Sequence, residues 1–285
     1  MMKPVIVFLR HLLRARNFIA VFAFAIVAVF VLTAAFAPLL ASWETATRVV
    51  LQDALLTPSA AHVLGTDELG RDLLARVVWG ARVSLLVAVV SVAVSLVAGV
   101  AIGALCGYYE NRLTDFVMRC MDFMLAFPRI LLAIMLIAVM GPGMVSLTAA
   151  IGISTVPIYA RLFRAPVLSL KRRVFVLAAR SLGARDASIL FGHIVPNTFS
   201  LMIIQGTISL AEAILIASGL SFLGLGPSPP TPEWGAMIAT ARAHITSTPH
   251  VVFAPGIALF VVVLGFNVLG DALRDFIDPK MQHAR

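Results

Sequence analysis

Residues 172–197 read RRVFVLAARSLGARDASILFGHIVPN. Arg172, Arg173, Arg180, Arg185, Asp186 and His193 crowd into this stretch, in a chain that is otherwise 60% hydrophobic and only 13% charged. Val174, Leu177, Ala178, Leu182, Ile189, Leu190 and Ile194 recur at helical spacing on both sides of Gly183. A glycine at that point supplies the left-handed conformation that ends a helix, and Asp186 is placed to cap the next one. Pro196 then permits a clean break. The pattern predicts helix, sharp turn, helix. A short rigid pair of this kind suits the docking of a partner that pushes or pulls. An amphipathic helix resting on anionic lipid headgroups is the competing reading.

The rest of the chain explains why such an insert stands out. Soluble domains are about 45–50% apolar and about 25% charged, so this composition belongs to the membrane class. Apolar runs at 18–40, 82–107, 115–140, 144–166, 199–224 and 251–273 are each long enough to cross a hydrocarbon core of about 30 Å. The sequence therefore predicts an all-α integral membrane protein with six transmembrane helices. Its expected parts are a cytoplasmic N-terminal tail at 1–17, a first transmembrane helix at 18–40 and an extracytoplasmic segment at 41–81. A core transmembrane domain follows at 82–273, with the cytoplasmic insert at 167–198 inside it and a cytoplasmic tail at 274–285. The Pro-rich GLGPSPPTPEWG at 224–235 forms the last long connector.

Charge asymmetry sets the orientation. Fifteen Lys and Arg fall on one alternating set of segments: Lys3, Arg10, Arg14, Arg16, Arg112, seven between Arg161 and Arg185, then Arg274, Lys280 and Arg285. Five fall on the other set, Arg48, Arg71, Arg76, Arg82 and Arg242, offset there by Glu44, Asp53, Asp67, Glu68, Asp72 and Glu233. By the positive-inside rule both termini and residues 167–198 face the cytoplasm. That topology accounts for the net charge of +8, and nucleic-acid binding is not expected. The N-terminal KPVIVFLRHLLRARN, its apolar run and the AFA at 35–37 imitate a secretory signal. The run is longer than a usual signal core and five more follow, so a retained first helix is expected.

Within the apolar runs, Ser91, Ser95, Gly99, Gly103 and Gly107 repeat every four residues, the spacing that lets a neighbouring backbone come close. Each step rotates the stripe by about 40°, so it could serve two neighbours. Arg129 and Glu212 are ionisable groups at membrane depth, which are costly there. Either they line a polar cavity or pair with each other, or Arg129 snorkels and Glu212 sits near water. Arg119 and Asp122, three residues apart, read as a local ion pair.

Motifs for chemistry are missing. The sequence contains no G-x-x-x-x-G-K-[ST] and no HExxH, and its six His are scattered. GLSFLG at 219–224 puts Leu223 where a nucleophile elbow needs glycine. Cys106 and Cys120 have no metal-site spacing.

The stretch AARSLGARDASILFGHIVPN resembles the coupling-loop signature of binding-protein-dependent ABC importer permeases, E-A-A-x-x-x-G-x(9)-I-x-L-P. Ala178, Ala179, Gly183 and Pro196 match it; Leu177 stands in place of the Glu, His193 of the Ile and Val195 of the Leu. HVLGTDELGRDLLARVVWGARVSL (62–85), AFPRILLAI (126–134), SFLGLGPSPPTPEWGAMI (221–238) and GFNVLGDALRDFIDPK (265–280) are similar to the second permease subunit of the dipeptide, oligopeptide and nickel branch. The resemblance implies a type I ABC importer permease fold with N and C termini inside, in a bacterial cytoplasmic membrane. It implies a non-catalytic subunit forming half of a translocation path for di- or oligopeptides, beside a homologous second permease. Two ATPase subunits holding ATP and Mg would dock on Leu177, Ala178, Ala179, Gly183, Ala184, Asp186, His193, Val195 and Pro196. An extracytoplasmic binding protein would deliver the ligand, and this chain itself would bind no cofactor or metal. Nickel, glutathione or another small solute is the same-family alternative. A membrane enzyme or a stand-alone channel is the remote one.

Overall fold

A computed structural model describes residues 18–277. The expected tail at 1–17 and the chain after Ile277 lie outside the described residues. Among those described, the structure is helical throughout, with one isolated antiparallel bridge between Thr66 and Asp72.

Helix α1 (Phe18–Ala35) ends before the short α2 (Ala37–Leu40), which carries Pro38 in its first turn. Helix α3 (Trp43–Thr47) starts where the Ser42 hydroxyl accepts from the Thr45 N–H at 3.0 Å. Helix α4 (Leu73–Tyr108) is 36 residues long and begins well before the expected position 82. Asp72 sets that start by accepting from the Ala75 N–H at 2.8 Å. At about 1.5 Å per residue, α4 is far longer than the hydrocarbon core is thick, so its first turns project beyond the membrane. Asp67 meets them there, accepting from Arg71 Nε at 2.7 Å and lying 3.1 Å from Arg76 Nε.

The expected third span, 115–140, is not one straight helix. It is α5 (Arg112–Leu125) and α6 (Arg129–Met140), bent by 97°. Pro128 stands at the bend. It has no N–H to donate backwards and it disfavours helical dihedrals at Phe127. Helix α7 (Met144–Leu170) then runs for 27 residues.

Helix α8 (Val174–Ser181) and α9 (Asp186–Ile189) form the polar insert. Pro196 does not break the chain as its composition suggests. A π-helical turn at Leu190–Ile194 and a 3-10 turn at Val195–Thr198 carry α9 without interruption into α10 (Phe199–Phe222). Pro196 lies at the start of the 3-10 turn, where its missing donor costs little. Helix α11 (Trp234–Ala241) and α12 (His250–Ile277) complete the described chain. Among the described residues, five helices are long and apolar enough to cross a membrane, and the bent pair makes a sixth if its two pieces count as one span.

One pairing organises the rest. The Ser91 hydroxyl donates to the Thr148 carbonyl at 2.9 Å. A Cβ built on Gly99 would lie 2.8 Å from the Val156 carbonyl oxygen, one on Gly103 would meet that of Ala160, and one on Gly107 would lie 2.9 Å from that of Arg164. Each contact joins residues 57 positions apart, so α4 and α7 run parallel and in register. The chain between them must therefore return to its starting end, and α5 with α6 is the return path. Four of the stripe's five members meet α7, while Ser95 turns its hydroxyl back to the Ser91 carbonyl at 3.0 Å and, with Ser91, borders a cleft shared with Ser209 of α10. A partner inclined along the drifting stripe keeps contact where a straight one would lose it.

Against this pair pack α10, α12 and α1. Trp234 is fully buried and donates from Nε1 to the Val77 carbonyl at 3.0 Å, with Phe30 at a ring distance of 5.7 Å. The spans thereby separate two polar ends. One carries α2, α3 and residues 223–249; the other carries 109–127 and 171–198.

Candidate functional site

The end that holds α8 is built around a glycine turn. Gly183 has φ of +81°, which an L side chain adopts only with strain. The Gly183 N–H donates to the Arg180 carbonyl at 3.0 Å and the Ala184 N–H to the Ala179 carbonyl at 3.1 Å. These two bonds make a Schellman motif that stops α8 and redirects the chain. Underneath, Val176, Ile189, Leu190 and Ile194 are buried against Ala104, Tyr108 and Val167, with Ala179, Ala184 and Val195 at the margin. The opposite face is bare: Val174 is 80% exposed, Leu177 51%, Leu182 88% and Phe191 57%. Ala178, Gly183, His193 and Pro196 are exposed as well.

Asp186 does not cap the second helix. Arg185 occupies the cap position without a side-chain bond, and Asp186 is the first helical residue. Its carboxylate instead accepts the hydroxyl proton of Tyr108. Arg180 Nη2 donates to the same hydroxyl at 3.0 Å and stands 3.5 Å from Asp186. Lys171 Nζ donates to the Tyr108 carbonyl at 2.6 Å and to Glu110 at 3.0 Å. The Lys171 ammonium holds the Glu110 carboxyl below the usual carboxylate range. A phenol reached across 78 residues wins over a local cap because the charge-assisted bond to the Asp186 carboxylate also satisfies a buried hydroxyl.

The second candidate lies deep among the spans. Arg129, the first residue of α6 after the bend, meets Glu212 of α10 at 2.8 Å. Arg129 lines a small cleft with Ser91, Ser95, Thr155 and Ser209. About halfway along α4, five polar side chains thus gather where four helices converge. Opposite charges brought together relieve the penalty each would meet alone. The expected Arg119–Asp122 pair does not form: Asp122 accepts from Arg161 Nη2 at 2.7 Å, across from α5 to α7. Arg164 similarly stands 3.5 Å from Asp115.

Tyr108 escaped the reading of the sequence. The signal was present in GYYEN at 107–111, where an apolar run ends on aromatic rings with polar tips. Glu233 escaped it too. It is 1% exposed and caps α11, accepting from the Ala236 N–H at 2.9 Å and the Ser218 hydroxyl at 3.2 Å. Burial pushes its carboxyl above the ordinary range.

A helix pair fixed by a glycine turn, and a glycine-packed parallel core above it, coincide with a stretch of known pattern. Residues 99–283 match the family described as binding-protein-dependent transport system inner membrane component. The chain belongs to this family. As a permease, it is 44% identical over 267 residues to the dipeptide transport system permease protein DppC of Alkalihalophilus pseudofirmus, covering 94% of this chain and 88% of that relative. It is also 44% identical to the di/tripeptide transport system permease protein DppC of Pseudomonas aeruginosa, over 89% of this chain and 86% of the relative. The glutathione transport system permease protein GsiD of Pectobacterium atrosepticum is 46% identical, over 79% of this chain and 75% of its own length. The permease is accordingly a multi-pass integral membrane protein and a subunit of a binding-protein-dependent ABC importer.

Proposed function

We propose that this permease forms half of the translocation path of an ATP-driven importer for di- or oligopeptides in a bacterial cytoplasmic membrane. A homologous permease completes the path, two ATPase subunits carry ATP and Mg, and an extracytoplasmic binding protein supplies ligand at the end that holds α3 and α11. The observation that carries this reading is the bare apolar face of Val174, Leu177, Leu182 and Phe191 on a helix pair fixed by the Gly183 turn. Apolar side chains on a polar end of the molecule gain by being covered, and a rigid mount passes on the push of whatever covers them. The missing signature glutamate fits, since Leu177 docks through apolar contact. Six crossings with both termini inside are part of this reading, supported by the parallel α4–α7 pair and the fifteen-to-five charge bias. Arg129 and Glu212 line the path. Glutathione is the second reading for the cargo, favoured by relatives at 45–46% identity.

Co-expression with the ATPase subunits of the importer tests the docking. The wild-type permease retains them through purification, and a Leu177→Asp, Leu182→Asp double variant loses them while still inserting. Retention by the double variant would overturn the docking face. Uptake of a labelled dipeptide against glutathione, in liposomes containing the full complex with binding protein, decides the cargo.

A further inference from the structure

Among the described residues, the side-chain hydrogen bonds that join residues 174–189 to α4 and α7 all pass through Tyr108. It is the last residue of α4, and only 3% of it is exposed. Its ring sits in the apolar cluster under α8 and α9, with Lys171 Nζ 5.5 Å from the ring centre. Its hydroxyl joins Arg180 of α8 to Asp186 of α9, and its carbonyl takes Lys171 at the end of α7. Four elements thus meet on one residue.

We propose that Tyr108 is a positioning residue that makes the insert and the ends of α4 and α7 move as one body. The inference rests on the docking reading above and adds to it the route by which a push on α8 reaches the spans. Apolar contact is non-directional, so the cluster alone lets α8 slide over α4. A phenol held between a guanidinium and a carboxylate is directional and resists that slide. With the hydroxyl gone, Arg180 and Asp186 still face each other at 3.5 Å, but as a pair no longer tied to α4. A push would then be absorbed by bending at residues 171–173, between α7 and α8.

The full complex, with ATPases and binding protein in liposomes, gives two readouts: assembly, and labelled dipeptide taken up per ATP hydrolysed. In Tyr108→Phe the ring and its packing stay, the complex assembles, and uptake per ATP falls about tenfold, the change expected when one charge-assisted hydrogen bond leaves a two-state latch. Unchanged uptake per ATP in an assembled Tyr108→Phe complex overturns the proposal. A residue of merely structural importance would lower assembly and leave the ratio alone. If Tyr108→Phe does not assemble, Asp186 decides: Asp186→Asn keeps an acceptor for the phenol and must hold more of the ratio than Asp186→Ala, and equal losses overturn the proposal. Failure of the wild-type permease to retain the ATPases would strike the docking reading first and this inference with it, so the two failures are told apart.

Discussion

A methyl group on Gly103 would land on the carbonyl oxygen of Ala160, and the neighbouring contacts at Gly99 and Gly107 leave no room for the helices to shift locally. Gly103→Val is therefore expected to destabilise the protein by about 3 kcal/mol or more, at the upper end for overpacking because the obstacle is backbone. Thermal unfolding in detergent checks this, with Gly206→Val, where a Cβ meets open space, as the control. Gly183 is constrained differently. Nothing lies within 4 Å of a Cβ placed there, so only its dihedral angle matters. Gly183→Ala should cost about 1–2 kcal/mol and Gly183→Asn less, read as faster hydrogen exchange over residues 174–184. Gly183 was legible in the sequence because a backbone requirement shows in the residue type. The partner of Asp186 was not, because Tyr108 is brought to it only by the packing of α4 against α9.

Two elements departed from their sequence pattern for opposite reasons. Residues 115–140 look like one span because apolar content tolerates a proline on paper, yet Pro128 removes a donor and bends the path by 97°. Pro196 looks like a terminator, yet the ladder around it loosens to a π turn and tightens to a 3-10 turn, and the helix continues. A proline signals strain in the ladder and does not say how the ladder answers. The bend at Pro128 also delivers Arg129 to Glu212. Glu212→Gln should change the concentration dependence of uptake if the pair lines the path, and unchanged kinetics would leave it a structural contact. Helix α11 offers a pH test. Because burial raises the Glu233 carboxyl, the stability tied to its protonated form is complete below the ordinary glutamate range, near about pH 4.3, and is lost as pH rises through the elevated value. Melting temperatures stepped over pH should fall across that interval, and Glu233→Gln should flatten the slope.

At the scale of the whole molecule, composition and run length were enough to place most of the apolar helices, because burial in a bilayer follows from the solvent and not from particular contacts; the Lys and Arg bias gives an expected orientation. What the sequence could not supply was which spans touch. The orientation is tested by single cysteines at Leu51 and Leu182, 68% and 88% exposed, in a background where Cys106 and Cys120 are replaced. An impermeant thiol reagent added outside intact spheroplasts should label the first and spare the second; the reverse pattern would invert the topology.

The parallel register of α4 and α7 also bears on how the protein is made. A helical hairpin can close as soon as its second arm leaves the ribosome, but these two arms point the same way and are joined by a segment that must itself cross back. The glycine groove of α4 therefore enters the bilayer with no partner and waits, through the synthesis of a further 57 residues, for the surface that fits it. During that interval the groove faces lipid or the insertion machinery. The densest helix contact among the described residues is thus one that biogenesis must postpone.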